Sequence, residues 1–265
     1  MKFDNVLCGA DPELFLTDDN GKYISAIGKI GGSKMFPRKI DDYGSAVQED
    51  NVAVEFNIPP AESVKEFITN LYRPLSYLNK HAASMNLKLS IVPSAKFDWD
   101  QLDNPTAMMF GCSVDFNVWT GKPNPRPEAK GDNRNLRTCG GHLHLSWDEP
   151  NLEERRELVR TMDLFLGVPS VLIDNDSMRR VLYGRAGAYR PKPYGVEYRV
   201  LSNFWIKNLD RMRWAFEQSH RAIQFLRQGH KIGGEIKTTI LSAINNNNID
   251  AAKALVTQFD LTVVE

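Results

Sequence analysis

Apolar and polar residues follow two periods along the chain. A period of two, typical of a strand with one buried face, predicts strands over residues 6–16, 23–27, 52–58, 87–92, 143–147 and 196–201. Apolar residues spaced three or four apart predict helices over residues 63–85, 151–167 and 209–229, and two short helices on either side of 245–248. Because strands and helices do not alternate strictly, we expect an α+β fold, with a largely antiparallel sheet and helices packed on one face.

Local signals mark several boundaries of these elements. Ser63 and Glu66 form a capping box where the first helix begins. Gly167 and Pro169 predict the end of the second helix. Residues 121–135 are rich in proline and poor in apolar residues, which predicts a long surface loop.

Composition narrows the class of protein. The chain has 265 residues, of which 42% are hydrophobic and 25% charged, as in folded globular proteins and unlike disordered or collagenous chains. The 33 basic residues balance the 33 acidic ones, so no overall field attracts nucleic acid or an anionic membrane. No apolar run reaches the roughly 18 residues of a membrane span, and the amino terminus resembles no signal peptide. Cys8, Cys112 and Cys139 form no CxxC pair, so we expect a cytoplasmic protein without disulfides.

Four predicted strands carry polar residues on one face. Since side chains alternate along a strand, residues two apart share a face. The sets are Asp11 with Glu13; Asn51, Glu55 and Asn57; His142, His144 and Ser146; and Glu197 with Arg199. One such strand is ordinary, because an antiparallel sheet often exposes one face to water. Four strands whose polar faces hold Asp, Glu and His indicate a metal site instead.

The residue types of this face favour particular metals. The metal-ligating candidates are Asp11, Glu13, Glu55, His142, His144 and Glu197. Their excess of carboxylates favours two or more Mg²⁺ or Mn²⁺ ions. The two histidines by themselves also suit zinc, so a zinc-dependent hydrolase that uses His142 and His144 is an alternative. A non-catalytic nucleotide-binding module is a third interpretation.

Basic residues form a second cluster, interrupted by glycines: Arg179, Arg180, Arg185, Arg190 and Lys192. Guanidinium groups match the oxygens of phosphates and carboxylates. Alone, this stretch is typical of a solvated basic loop, but it lies close in sequence to Glu197 and Arg199, which favours an anion-binding site. Residues 28–34 (GKIGGSK) are glycine-rich without the Walker spacing. We expect them to form a flexible loop that contacts substrate, with Lys34 as a nucleotide contact.

Taken together, these motifs resemble those of the phage-type carboxylate-amine ligases (amidoligases). The resemblance covers about residues 8–206 and rests on four segments in the same order: residues 9–15 (GADPELF), 48–57 (QEDNVAVEFN), 140–144 (GGHLH) and 194–202 (YGVEYRVLS). That family is related to glutamine synthetase and glutamate-cysteine ligase. The resemblance implies a glutamine synthetase-like catalytic domain over residues 1–206, whose curved antiparallel sheet holds two or three Mg²⁺ or Mn²⁺ ions around the phosphates of ATP. Residues 207–265 carry none of these motifs and are expected to form a helical segment on the same domain.

The resemblance also implies roles for the metal candidates. Asp11 and Glu13 stand where the family has a Glu-x-Glu pair that binds separate metals, with Asp replacing the first Glu. Glu55 is the next strand carboxylate. Either His142 or His144 is the strand histidine, and the sequence does not decide between them.

Glu197 and Arg199 occupy the late Glu-x-Arg pair, in which one residue binds metal and the other a phosphate. We expect catalytic roles for Arg185, Arg190 and Arg199, and nucleotide contacts from Lys34, Arg185, Arg190, Lys192 and Arg199. The implied reaction activates a carboxylate as an acyl phosphate, which an amine then captures with ADP and phosphate as products. The partners are then a small-molecule or peptide carboxylate and an amine, with nucleic acid only as a modification substrate. The location is the cytoplasm of a host cell if the gene is of phage origin.

Overall fold

The computed structural model of the chain describes residues 1–108, 114–125, 127 and 130–264. The strands of these residues are β1 (Leu7–Thr17), β2 (Tyr23–Ile24), β3 (Arg38–Lys39), β4 (Ala46–Asp50), β5 (Ala53–Asn57), β6 (Lys88–Ser90), β7 (Ser94–Lys96), β8 (Phe116–Asn117), β9 (Leu136–Thr138), β10 (Gly141–Ser146), β11 (Ala188–Lys192) and β12 (Gly195–Tyr198). The α-helices are α1 (Val64–Ser84), α2 (Pro105–Met108), α3 (Leu152–Met162), α4 (Val168–Ile173), α5 (Met178–Leu182), α6 (Leu209–Arg227), α7 (Gly234–Asn245) and α8 (Ile249–Phe259). Short 3-10 turns cover Trp99–Gln101, Gly131–Asn133 and Asn203–Ile206.

One large sheet organises the protein. Its strand order is β3-β4-β5-β1-β10-β12-β11-β8, with β2 and β6 also paired to β1, while β7 and β9 form a separate two-stranded sheet. Every pairing between described strands is antiparallel. Helices α1 and α3 pack on its apolar face, where Leu14, Leu143 and Val196 are buried in the core, and α6 packs against both helices. The predicted α+β class, with a largely antiparallel sheet and helices on one face, is confirmed.

Helix α1 shows how local chemistry sets the boundaries. The side chain of Ser63 accepts a hydrogen bond from the backbone N–H of Glu66, as the capping box predicts. Phe67, Leu71 and Leu78 lie on the buried face of the helix, at helical spacing. The apolar stripe therefore fixes which side of α1 faces the sheet.

One prediction about secondary structure was wrong. The second helix does not end at Gly167 and Pro169, because a π-helical turn, Asp163–Gly167, leads directly into α4. Pro169 therefore lies inside a continuous helical run, directly after the π-helical turn. Arg190 and Lys192, for which the sequence left a solvated loop as an alternative, lie on strand β11, next to β12 in the sheet.

Helices α6, α7 and α8 follow residue 206. Side chains from each of them, including Ile223, Ile240 and Leu255, belong to the same hydrophobic core as the sheet. The division of the chain at residue 206 stays a prediction. None of the described helices combines the length and the apolarity needed to cross a lipid bilayer. Cys8 and Cys139 are buried free thiols, and Cys112 lies outside the described residues.

Candidate active site

The pairing register joins the polar faces of the central strands into one row. Asp11 of β1 lies opposite His142 of β10, and His144 of β10 lies opposite Glu197 of β12. Glu197 in turn lies opposite Arg190 of β11. Residues directly opposite each other in antiparallel strands project to the same face. The predicted residues of these strands therefore meet on one side of the sheet.

On the other side of Asp11, the row continues through an acidic group, which we define as Glu13, Asp50 and Glu55. Glu13 lies opposite Glu55, and one carboxylate oxygen from each of the three residues lies within 4.8 Å of the others. The backbone N–H of Gly140 donates a hydrogen bond of 2.7 Å to Glu13. Within the described parts of the chain, no Lys or Arg forms an ion pair with these three carboxylates. The group therefore concentrates negative charge.

This crowding shifts proton affinities. Burial, together with the neighbouring charge of Asp50, raises the pKa of Glu13 to about 7. Burial and the charges of Asp11, Asp50 and Glu13 raise the pKa of Glu55 well above its ordinary value. Both shifts express the cost of holding several negative charges together away from water. A divalent cation between these oxygens would remove that cost.

A second group able to hold a cation consists of Asp11, His142 and Glu197, which we call the mixed group. One ligand atom from each lies within 4.8 Å of the others. Asp11 contacts both histidines: its Oδ1 lies 3.2 Å from His142 Nδ1, and its Oδ2 lies 3.1 Å from His144 Nε2. Burial opposes ionisation of Asp11, but the charges of His144 and His142 and their hydrogen bonds outweigh it and hold the pKa of Asp11 well below its usual range.

The two histidines differ in their surroundings. Burial and the nearby Arg199 lower the pKa of His142 to about 4, so its ring is neutral near pH 7 and can bind a metal. For His144, burial lowers the pKa, but Asp11 overcomes this effect and the pKa is raised. Among the described residues, His142 belongs to a group of three metal-ligating types and His144 does not. His144 Nδ1 instead lies 2.7 Å from the hydroxyl of Tyr194.

Three cations surround Glu197. Arg190 Nη1 lies 3.1 Å from its Oε1, Lys192 Nζ lies 2.7 Å from its Oε2, and Arg199 also forms an ion pair with it. Burial works against ionisation, but the positive charge of Arg199, followed by smaller contributions from His142 and Arg190, lowers the pKa of Glu197 to about 2. This end of the row therefore carries more positive than negative charge, in contrast to the acidic group.

A cavity of about 280 Å³ brings these residues together. Its lining includes all six predicted metal ligands and four of the predicted nucleotide contacts: Asp11, Glu13, Glu55, His142, His144, Glu197, Lys34, Arg190, Lys192 and Arg199. Arg185 does not join them. It is exposed in the turn before β11 and lines none of the cavities described here.

Two further cavities share walls with the central one. A cavity of about 160 Å³ shares Glu13, Asp50 and Arg199 with it and adds Arg179, which is 3% exposed. Arg179 Nη1 donates a 2.8 Å hydrogen bond to the carbonyl of Val200. On the opposite side, a cavity of about 380 Å³ is lined mainly by apolar and small residues, with His144 and Tyr194 at the wall shared with the central one.

Sequence reasoning did not assign Asp50 to the site, and it named Arg179 only as a member of the basic cluster. Asp50 follows Gln48 by two positions, while Val47 and Glu49 alternate with them, so the pattern of a strand was present. That pattern becomes a site only when β4 pairs with β5 and brings Gln48 opposite Glu55. For Arg179, the basic cluster was the signal, but the cluster did not distinguish it from Arg185.

Comparisons with known proteins agree with the motifs. Residues 131–224 match the family model described as "Phage phiEco32-like COOH.NH2 ligase-type 2". The resemblance to the phage-type carboxylate-amine ligases is confirmed. The matched range contains both histidines of β10 together with Glu197 and Arg199, and it extends into α6; Asp11 and the acidic group lie before it.

A solved structure titled "Apo GmaS without ligand" is similar to the chain with a TM-score of 0.39 and 12% sequence identity, over 98% of this chain and 70% of that one. No curated protein sequence matches the chain.

Proposed function

We propose that the protein is an ATP-dependent carboxylate-amine ligase that forms an amide or peptide-like bond and releases ADP and phosphate. One observation carries this proposal: negative and positive charges lie at opposite ends of one face of the sheet. The acidic group lies at one end, three cations surround Glu197 at the other, and Asp11 and His142 lie between them. Phosphoryl transfer requires such a combination of cation sites and fixed positive charge around crowded oxygens.

The donor sets fit Mg²⁺ or Mn²⁺. The acidic group offers oxygen ligands only, and the mixed group offers two carboxylates and a neutral imidazole, which suits Mn²⁺ or Mg²⁺ better than a structural zinc. Glu13, Asp50 and Glu55 would hold one ion, and Asp11, His142 and Glu197 a second. When bound, these ions supply the charge neutralisation that lets phosphate and carboxylate oxygens approach one another.

The cavities suggest how ATP lies in the site. The apolar cavity beside Tyr194 is large enough for part of a nucleoside, and it shares His144 and Tyr194 with the central cavity, which Arg190 and Lys192 also line. A base in the apolar cavity would direct the phosphates towards these two cations and Lys34. Arg199, which contacts both Glu197 and His142, would then stabilise the charge on the transferred phosphoryl group.

The carboxylate substrate would enter from the opposite side. The cavity that contains Arg179 reaches the acidic group and Arg199, so a carboxylate held there would face the phosphates across the proposed metal ions. Its oxygen attacks the γ-phosphorus of ATP and ADP leaves. The nitrogen of an amine then attacks the acyl carbon, phosphate leaves, and the proton lost by the nitrogen passes to the phosphate or to solvent. Neither step needs a protein nucleophile.

The zinc hydrolase that the two histidines suggested has less support. His142 and His144 contact the two oxygens of one carboxylate, that of Asp11. Asp11 therefore separates their facing ring nitrogens, where a shared zinc ion would have to lie. The carboxylate excess of the face also favours harder cations than zinc.

The decisive experiment measures ADP and phosphate released from Mg-ATP in the presence of pooled amino acids and polyamines. Wild type, Glu197→Gln and the control Glu153→Gln, an exposed residue on α3, are compared side by side. We expect release that depends on the pool, is unchanged in the control and falls below detection in Glu197→Gln. Normal release in Glu197→Gln would refute the site assignment. No release with zinc in the purified protein would support the hydrolase, and ATP binding without release would support a binding module.

A further inference from the structure

The segment 28–37, which we call the Lys34 loop, is fixed at its base by one carboxylate. Glu49 accepts hydrogen bonds from three backbone N–H groups of the loop: Gly28 at 2.9 Å, Ile30 at 3.0 Å and Gly31 at 2.8 Å. Backbone N–H groups that converge on one anion bind it together, and hydrogen bonds to a charged acceptor are stronger than neutral ones. Glu49 therefore determines the backbone conformation at the start of this loop.

Other contacts hold the same base. The guanidinium of Arg38 donates a 3.1 Å hydrogen bond to the carbonyl of Ile30, whose own side chain is buried in the core. His81 Nε2 lies 2.9 Å from the carbonyl of Lys29. Gly32 is enclosed, since a Cβ atom there would lie 2.6 Å from the carbonyl oxygen of Val47. The base is a built structure rather than the flexible glycine-rich loop that the sequence predicted.

The tip of the loop projects from this base. Ser33 and Phe36 exchange backbone hydrogen bonds of 3.0 Å in both directions, which closes a tight turn with Lys34 and Met35 at its end. Met35 and Phe36 are 80% and 78% exposed. Lys34 lines the central cavity together with the acidic and mixed groups. Because its base is fixed, the loop holds the positively charged side chain of Lys34 at the central cavity.

Strand β4 carries both Asp50, which belongs to the acidic group, and Glu49, which holds the Lys34 loop. Asp50 lines the central cavity, whereas Glu49 lies opposite Val54, whose side chain is buried in the core on the other face of the sheet. Alternation along the strand separates the two neighbouring carboxylates. One face of β4 contributes to the acidic group, and the other holds the loop that returns Lys34 to the same cavity.

We propose that Glu49 is a positioning residue: its carboxylate fixes the Lys34 loop so that Lys34 meets an anionic group of the bound substrate. This inference rests on the proposed function, in which that group is the polyphosphate of ATP. Glu49 contacts no substrate and acts through Lys34. A loop already fixed in the free protein loses little conformational entropy when the ligand binds. The hydrogen bonds to Glu49 therefore contribute to affinity rather than to the chemical step.

A double-mutant cycle tests this role. The variants are Glu49→Gln, Lys34→Ala and the double variant, and binding of a non-hydrolysable Mg-ATP analogue is measured along with kcat and KM for ATP. The control is Glu66→Gln, because Glu66 also accepts a backbone N–H, from Glu62 at 2.9 Å, but lies on α1. We expect Glu49→Gln to weaken nucleotide binding and raise KM about tenfold with little change in kcat. The double variant should bind no more weakly than Lys34→Ala alone.

Hydrogen exchange supplies a readout that needs no activity. In the free protein, the amides of Gly28, Ile30 and Gly31 should exchange faster in Glu49→Gln than in wild type and Glu66→Gln. Additive losses in the double variant, or unchanged exchange of these amides, would refute the positioning role. If wild type binds the nucleotide and Glu49→Gln binds it equally well, the positioning role alone fails. If wild type binds no nucleotide, the proposed function fails and the role of Glu49 towards ATP fails with it.

Discussion

Glu13 lies directly opposite Glu55 in the pairing of β1 with β5, and both carboxylates are buried on the same face of the sheet. Like charges placed opposite each other on neighbouring strands repel, and burial strengthens the repulsion. The chain tolerates this pair, with Asp50 beside it, at a point where a divalent cation would turn the repulsion into binding.

Stability without metal should depend on pH because of this pair. The pKa of Glu13 is raised to about 7 from an ordinary value of 4.5, so between these pH values the folded chain holds a proton that the unfolded chain releases. Stability of the metal-free protein should therefore fall as pH rises through that window, by on the order of 3 kcal/mol for Glu13. Urea unfolding with EDTA at pH 5 to 8 measures this decline.

Adding Mg²⁺ at pH 8 should restore stability in wild type, because the cation binds the ionised carboxylates. In Glu13→Gln, the free energy of unfolding should fall less with rising pH than in wild type, and Mg²⁺ should raise it less. An identical pH profile in the two proteins would contradict the charge repulsion described for Glu13.

Asp50→Asn should weaken binding of Mn²⁺ roughly 10- to 100-fold, because the acidic group loses one anionic oxygen ligand. Calorimetric titration of the nucleotide-free protein with Mn²⁺ measures the affinity. Asp42→Asn, an exposed residue in the turn before β4, is the matched control and should bind as wild type does. Equal losses in both variants would point to general electrostatics rather than to a ligand.

Arg199→Lys should lower kcat by about 100-fold, since a lysine cannot reproduce the several directed contacts of the guanidinium. Arg199 pairs with Glu197, lies 3.3 Å from His142 Nδ1 and places its Nε 3.4 Å from Asp115. Steady-state ADP release, with circular dichroism to check the fold, measures the effect.

Arg185→Lys is the comparison for that variant. Arg185 is exposed outside the cavities described here, so this substitution should leave kcat nearly unchanged. A loss as large as that of Arg199→Lys would instead support the catalytic role that the sequence predicted for Arg185.

Gly32→Ala should destabilise the protein more than Gly28→Ala. Both glycines have left-handed backbones, with φ of +79° and +76°, so both substitutions incur the same strain of about 1–2 kcal/mol. Only at Gly32 would the new Cβ also meet backbone atoms, the oxygen of Val47 at 2.6 Å and the nitrogen of Arg38 at 2.7 Å. Urea unfolding of the two variants measures the difference, and equal losses would show that the Lys34 loop can shift at its base.

The site was predictable from sequence where its signal was local. Alternation along β1, β10 and β12 identified the residues that share a face, and the register brings Asp11, His142 and Glu197 of these strands together. Helix α1 was predictable for the same reason, because its cap and its apolar stripe lie within one segment. The assignment of individual roles to these residues stays a prediction.

The sequence by itself determined the α+β class, the polar face and the family resemblance, because these follow from side-chain alternation, helical spacing and short motifs. Only the tertiary structure decided which remote residues join that face. Asp50 becomes part of the acidic group because β4 pairs with β5, and Glu49 clamps a loop some twenty residues away because its side chain points to the opposite face. Arg179 lines a cavity of the site and Arg185 is exposed, although both lie in one basic stretch. Such differences depend on strand pairing and burial, which arise between distant segments and leave no periodic signal in either one.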